Sequence, residues 1–160
     1  MKLKIFIKYH NQNCKLETHG NWIDLKSSES VTIPKRTHRL IDLGFSCRLP
    51  DYYQANIVPR SSTFKKFGLI QANHYGVVDG PDRDSNGYSG NDDHWKFSAL
   101  SLNDMTSVLE GDRICQFEIK PTMFAPWYVK LKWLFANGIE FVEVDDLKSE
   151  NRGGYGSTGK

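Results

Sequence analysis

Apolar residues recur at every second position through short stretches of this chain, and turn residues break each stretch. Leu3, Ile5, Ile7 and Tyr9 share one side of an N-terminal segment whose other side is mostly lysine. Ile41, Leu43, Phe45, Cys47 and Leu49 alternate in the same way until Pro50 stops them. A period of two sends successive side chains to opposite faces of an extended backbone, so the pattern demands half-buried strands. Further strand-like stretches are "SVTIP" (30–34), "YQANIVP" (53–59), "FGLIQA" (67–72), "RICQFEI" (113–119) and "IEFVEV" (139–144). Many short strands at close spacing predict an all-β sandwich or barrel.

Two segments depart from the alternation. "APWYVKLKWLFANG" (125–138) opens with a proline suited to a first helical turn and closes on Asn-Gly, a helix stop. Trp127, Leu131, Leu134 and Phe135 fall on one stripe at helical spacing. The stripe predicts a helix that covers the protein's own sheet or a subunit interface; a membrane-surface or partner helix is the alternative. "DGPDRDSNGYSGNDD" (79–93) has no periodicity and reads as a long hairpin tip or loop.

With 160 residues the chain suits one domain, and its 39% hydrophobic and 25% charged content is that of an ordinary globular protein. A net charge of +2 leaves no strong electrostatic footprint for duplex nucleic acid or an anionic membrane, so neither is expected as a partner. Cys14, Cys47 and Cys115 form no CxxC pair, which predicts inert thiols in a reducing cytoplasm. The five histidines show no zinc-ligand spacing.

Three stretches could carry chemistry. "PRSS" (59–62) sets an arginine, two hydroxyls and backbone N–H groups at a strand end, which suits a phosphate or carboxylate but also an ordinary turn. "GVVDG" (76–80) puts Asp79 where a strand meets a glycine turn, as a turn former or a reactive carboxylate. "ENRGGYGSTGK" (150–160) is a floppy tail, an RGG-like RNA segment, or a strap that closes over a substrate.

Read in order, these stretches resemble the five motifs of the homotrimeric dUTPase (dUTP pyrophosphatase) family over essentially the whole chain. "GNWIDL" (20–25) is similar to the first, "PRSS" to the second and "NHYGVVD…GYSG" (73–90) to the third. "GDRICQFEI" (111–119) is similar to the fourth and "RGGYGSTG" (152–159) to the fifth. "PRSSTFKKFGLIQAN", "GYSGNDDHWKF" and a short fifth motif look like a bacterial and phage branch.

The resemblance implies a jelly-roll (β-clip) barrel with one short helix, assembled as a homotrimer with active sites shared between subunits. It implies magnesium-assisted hydrolysis of dUTP to dUMP and pyrophosphate by water attack on the α-phosphorus, which keeps uracil out of DNA and supplies dUMP. Asp79 matches the family's general base, and Asp24 would meet the Mg2+ through water only. Arg60, Ser61 and Ser62 match the phosphate-holding residues, with Gln116 supporting their loop. Asn73, Val77 and Val78 match the hairpin backbone that reads uracil, and Tyr88 the ring that excludes a ribose 2′-hydroxyl. Residues 150–160 match a mobile arm from another subunit, in which Arg152 reaches the γ-phosphate, Tyr155 stacks on uracil, and Ser157 and Thr158 lie near the phosphates.

The chain departs from the family pattern in places. The tyrosine of the third motif usually follows the aspartate by three residues, whereas Tyr88 stands nine after Asp79, which makes Asp84 a rival base. The fifth motif is shorter between arginine and aromatic, which makes His94 or Trp95 a rival cover for the base. Ile23 stands where the first motif commonly has tyrosine. A dCTP deaminase on the same fold uses a glutamate near the base, and residues 70–100 contain none. A regulatory or binding protein that keeps the fold without turnover is the rival of another class.

Overall fold

The computed structural model describes residues 1–17 and 22–154. In chain order the elements are β1 (Leu3–Tyr9), β2 (Ile23–Lys26), β3 (Val31–Pro34), β4 (His38–Asp42), β5 (Phe45–Arg48) and β6 (Tyr53–Pro59). Then follow α1 (Thr63–Phe67), β7 (Leu69–Gln71), β8 (Gly76–Asp79), β9 (Lys96–Ser101), β10 (Met105–Val108), β11 (Arg113–Pro121), α2 (Trp127–Leu134) and β12 (Ile139–Glu143). A single 3-10 turn covers Gln12–Cys14. Tyr155, Ser157 and Thr158 lie outside the described residues, as do Gly20 and Asn21 of the first motif.

The strands form four small sheets, ordered β12-β1-β5, β10-β3, β2-β11-β6-β8 and β4-β9-β7. All pairings are antiparallel except β1 with β12, where Leu3 lies opposite Ile139. The alternation works as expected: Leu3, Ile5 and Ile7 are buried while their neighbours face out. Inside, Trp95 packs on Phe45 at 5.1 Å between ring centres and edge-on against Phe117 at 5.2 Å, arrangements that suit aromatic quadrupoles.

The run from Ile41 to Leu49 buries all five of its apolar side chains, yet it is not one strand. Gly44 adopts φ +79 and its N–H donates to Asp42 Oδ1 at 2.6 Å. This left-handed corner, which glycine takes without strain, sends β4 to partner β9 and β5 to partner β1. The stretch read as a strand from Phe67 is also divided. Its first residue ends α1, and Gly68 at φ +63 caps that helix before β7 begins.

The helical stripe is not turned inward. Trp127, Leu131, Leu134 and Phe135 are all exposed, and the buried side of α2 runs through Ala125 and Val129. The helix has eight residues and sits where the Tyr53 hydroxyl reaches the Val129 carbonyl at 3.5 Å. A helix this short is oriented by its few tertiary contacts rather than by its amphipathic pattern.

α1 has a structural pin. Thr63 is fully buried; its Oγ1 accepts the Arg60 N–H at 2.9 Å and donates to the Ile114 carbonyl at 2.8 Å. Thr63→Val keeps the shape and strands both partners, so urea denaturation at fixed protein concentration should show a loss of about 1–3 kcal/mol. The thiols are the second test. Burial pushes Cys14 up to about 11 and also raises Cys47 and Cys115, and the thiolate is the reactive form. Folded protein at pH 8 should resist Ellman's reagent, while all three thiols titrate in guanidinium; rapid reaction of one in the folded chain would contradict this core.

Candidate functional site

β6 is flanked by β11 and β8, and the candidate residues collect at its two ends. Asp79, the last residue of β8, lies opposite Gln54 near the start of β6. Arg60, Ser61 and Ser62 follow Pro59 at its other end. Pro59 stands five steps along the strand from Gln54, roughly 17 Å at the usual rise per residue.

At the Pro59 end, Arg60 Nε pairs with Asp24 Oδ1 at 2.8 Å, and Arg113 Nη1 lies 3.3 Å from Asp24 Oδ2. Two guanidinium groups thus hold one partly exposed carboxylate. Gln116, opposite both Asp24 and Val58 in the sheet, donates from Nε2 to the Pro59 carbonyl at 3.4 Å. Ser61 is exposed and Ser62 half-buried. A cavity of about 220 Å3 opens at Asp24, between Glu17, Trp22, Lys26 and Arg113. Its lining sets Lys26 against Glu17 and Arg113 against Asp24, so its charges are already paired.

At the Gln54 end a larger cavity, about 760 Å3, holds Asp79, Asp84 and Arg152. The Asp79 side chain is 54% exposed, and Arg152 Nη1 lies 3.4 Å from its Oδ2. Alternation on β8 turns Val78 into the core and leaves Val77 exposed on the same side as Asp79. Asn73 stands in the exposed turn before β8, where its carbonyl accepts the Tyr75 N–H at 2.6 Å.

The long Asp-to-Tyr spacing is closed by a hydrogen bond. Tyr88 N–H donates to the Asp79 carbonyl at 2.8 Å, and Gly80 N–H donates to the Tyr53 carbonyl at 2.9 Å. Gly87, at φ +65, packs directly on Gly80, where a side chain would collide with backbone. Residues 80–87 therefore leave and return at one neck, and Tyr88 stands beside Asp79 despite nine residues of separation. Its hydroxyl donates to the His94 carbonyl at 2.8 Å. Asp84 also faces the cavity, but its N–H donates to Asp82 Oδ1 at 2.8 Å and its carboxylate meets Arg83.

The two rival covers for a base are placed elsewhere. Trp95 is wholly buried among Phe45 and Phe117, so its ring cannot reach a ligand. His94 stacks on His10 at 3.8 Å and pairs with Asp42 at 2.7 Å. Burial and the neighbouring His94 hold the His10 ring below its usual pKa.

The chain beyond β12 runs back over the loop 90–93. Leu147 N–H donates to Asn91 Oδ1 at 3.0 Å, and Asn151 exchanges hydrogen bonds with Asp92. Arg152 and Gly153 N–H groups both donate to the Asp93 carboxylate at 2.9 Å. Asp93, Thr63 and Arg113 make contacts around the candidate site that the sequence does not single out. The first sits in a turn-rich loop whose composition says only that it is a loop. The other two gain their roles from partners 51 and 89 residues away.

The dUTPase family model matches residues 22–123. Over 159 residues the chain is 41% identical to the SPbeta prophage-derived deoxyuridine 5'-triphosphate nucleotidohydrolase YosS of Bacillus subtilis, covering 99% of this chain and 97% of that protein. The fold superposes on the dUTPase of Streptococcus mutans with a TM-score of 0.63 at 24% identity, over 74% of this chain and 93% of that one. A Staphylococcus bacteriophage 80alpha dUTPase mutant solved with dUpNHpp gives a TM-score of 0.60 at 17% identity over 98% of both chains. With the motifs, the jelly-roll architecture and these matches in agreement, the chain belongs to the dUTPase family.

Proposed function

We propose that the protein hydrolyses dUTP to dUMP and pyrophosphate, with Asp79 as general base. One observation carries the assignment of roles. The Tyr88 N–H on the Asp79 carbonyl, and Arg152 on the Asp79 carboxylate, bring the third and fifth motifs together in one cavity. A water molecule attacks the α-phosphorus. Its oxygen forms the new P–O bond, its proton passes to the Asp79 carboxylate, and the bond from that phosphorus to the bridging oxygen breaks to release pyrophosphate. A carboxylate within hydrogen-bond reach of that water can orient and deprotonate it.

Asp79 is preferred over Asp84 because only Asp79 is locked to Tyr88 across the neck. The Tyr88 ring then packs on the deoxyribose, and the exposed backbone from Asn73 through Val77 and Val78 reads the uracil edge. Phosphoryl transfer depends mostly on positioning and fixed positive charge. Arg60 with Ser61 and Ser62 supplies the charge and hydroxyls for the phosphate chain, and Gln116 braces that loop from below.

The separation of roughly 17 Å along β6 supports a site completed by another copy, since one chain's Arg60 loop cannot serve its own Asp79. We place the phosphate loop of one subunit against the hairpin of its neighbour in a homotrimer, with residues 150–160 as the arm that closes over the nucleotide. Tyr155 stacks on uracil in this reading, and Ser157 and Thr158 approach the phosphates.

The donor set fits a magnesium ion that arrives with the triphosphate. Among the described residues no group of three His, Cys, Asp or Glu is arranged as a metal cage. Asp24, with both oxygens already on arginines, keeps lone pairs for a metal-bound water. Magnesium, when bound, supplies charge neutralisation for the phosphates and the departing pyrophosphate.

Asp79→Asn should lower pyrophosphate release from dUTP by about 10²–10⁴-fold while nucleotide binding persists; retained turnover would transfer the role to Asp84. Removal of residues 152–160 should leave the trimer intact in sedimentation and remove most of the activity. An unchanged rate would refute the closing arm.

A further inference from the structure

The strap that carries Arg152 has one deeply buried holding point. Asp93 is 1% exposed. Its Oδ2 accepts the Gly90 N–H at 2.8 Å and the Arg152 N–H at 2.9 Å, and its Oδ1 accepts the Gly153 N–H at 2.9 Å. A carboxylate withdrawn from water needs several donors to remain tolerable. Two of these three come from the strap. The docked strap therefore makes two charge-assisted hydrogen bonds to this carboxylate, stronger than ordinary neutral ones.

The surface around this point is shaped for the strap. Gly90 meets Asn151 so closely that a Cβ on Gly90 would stand 2.5 Å from Asn151 Cα. On the far side, a Cβ on Gly154 would stand 3.0 Å from the Tyr88 ring. Asn151 and Gly153 thus bracket Arg152, whose backbone is fixed by Asp93 and whose guanidinium extends to Asp79.

We infer that Asp93 is a positioning residue, which docks residues 151–153 and so sets Arg152 over the dUTP site. The inference rests on the dUTPase reading above and adds a residue with no substrate contact of its own. It also makes the loop 90–93 a fixed root from which the remainder of the arm extends.

The test compares Asp93→Asn with Gly90→Ala. The first removes the charge and one acceptor; the second keeps Asp93 and obstructs Asn151, at a backbone position outside the left-handed region. Both should lower kcat/KM for dUTP by about 10–100-fold. Both should also accelerate hydrogen exchange at the Arg152 and Gly153 amides, with exchange in β6 and β11 unchanged. In a chain that ends at Glu150, Asp93→Asn should cost nothing further, since the group it positions is gone. The proposal is overturned by equal kcat/KM in wild type and Asp93→Asn, by a loss that adds fully to the truncation, or by a fully active Gly90→Ala. If Asp93→Asn does not fold, Gly90→Ala decides alone. If wild type itself releases no pyrophosphate from dUTP, the functional reading fails instead, and exchange at residues 152 and 153 still judges the anchor.

Discussion

β6 is the ruler of this molecule. Its central place between β11 and β8 fixes the Arg60 loop at one end and Asp79 at the other, and the ladder hydrogen bonds on both sides allow neither to slide. A one-residue slip would also turn Ala55 and Ile57 out of the core. The distance between cationic loop and carboxylate is thus a property of the sheet.

Each end of β6 is prepared electrostatically before any nucleotide arrives. Asp24 keeps Arg60 and Arg113 side by side, in a high-dielectric setting where such pairs contribute more to orientation than to stability. Arg152 rests near Asp79 in the same spirit, its backbone held by a buried carboxylate and its head left partly exposed. Charges held in place this way need little rearrangement when an anion binds.

Much of the fold could be read from the chain because burial on a sheet imposes a period of two that survives in the sequence. β6 was legible residue for residue, Tyr53 to Pro59. Gly44 escaped because a corner that buries residues on both sides leaves the alternation from Ile41 to Leu49 unbroken. The stripe on α2 has real hydrophobic spacing but lies away from its own sheet, and the side turned to the chain is set by Val129 and Tyr53. Among site residues, Arg60, Asp79 and Arg152 carry motif contexts that stand out locally. Thr63 and Asp93 do not, because a hydroxyl or carboxylate that serves distant backbone leaves no mark on its neighbours in sequence.

The neck between Asp79 and Tyr88 has a wider consequence. Because the chain closes there, the excursion 80–87 behaves as a detachable module whose length is nearly independent of the residues it separates; the entropy of a longer loop grows only with the logarithm of its size. Evolution can remodel the rim of the cavity at that port, and an engineer can graft a reporter or affinity handle into it, while the two ends stay in register.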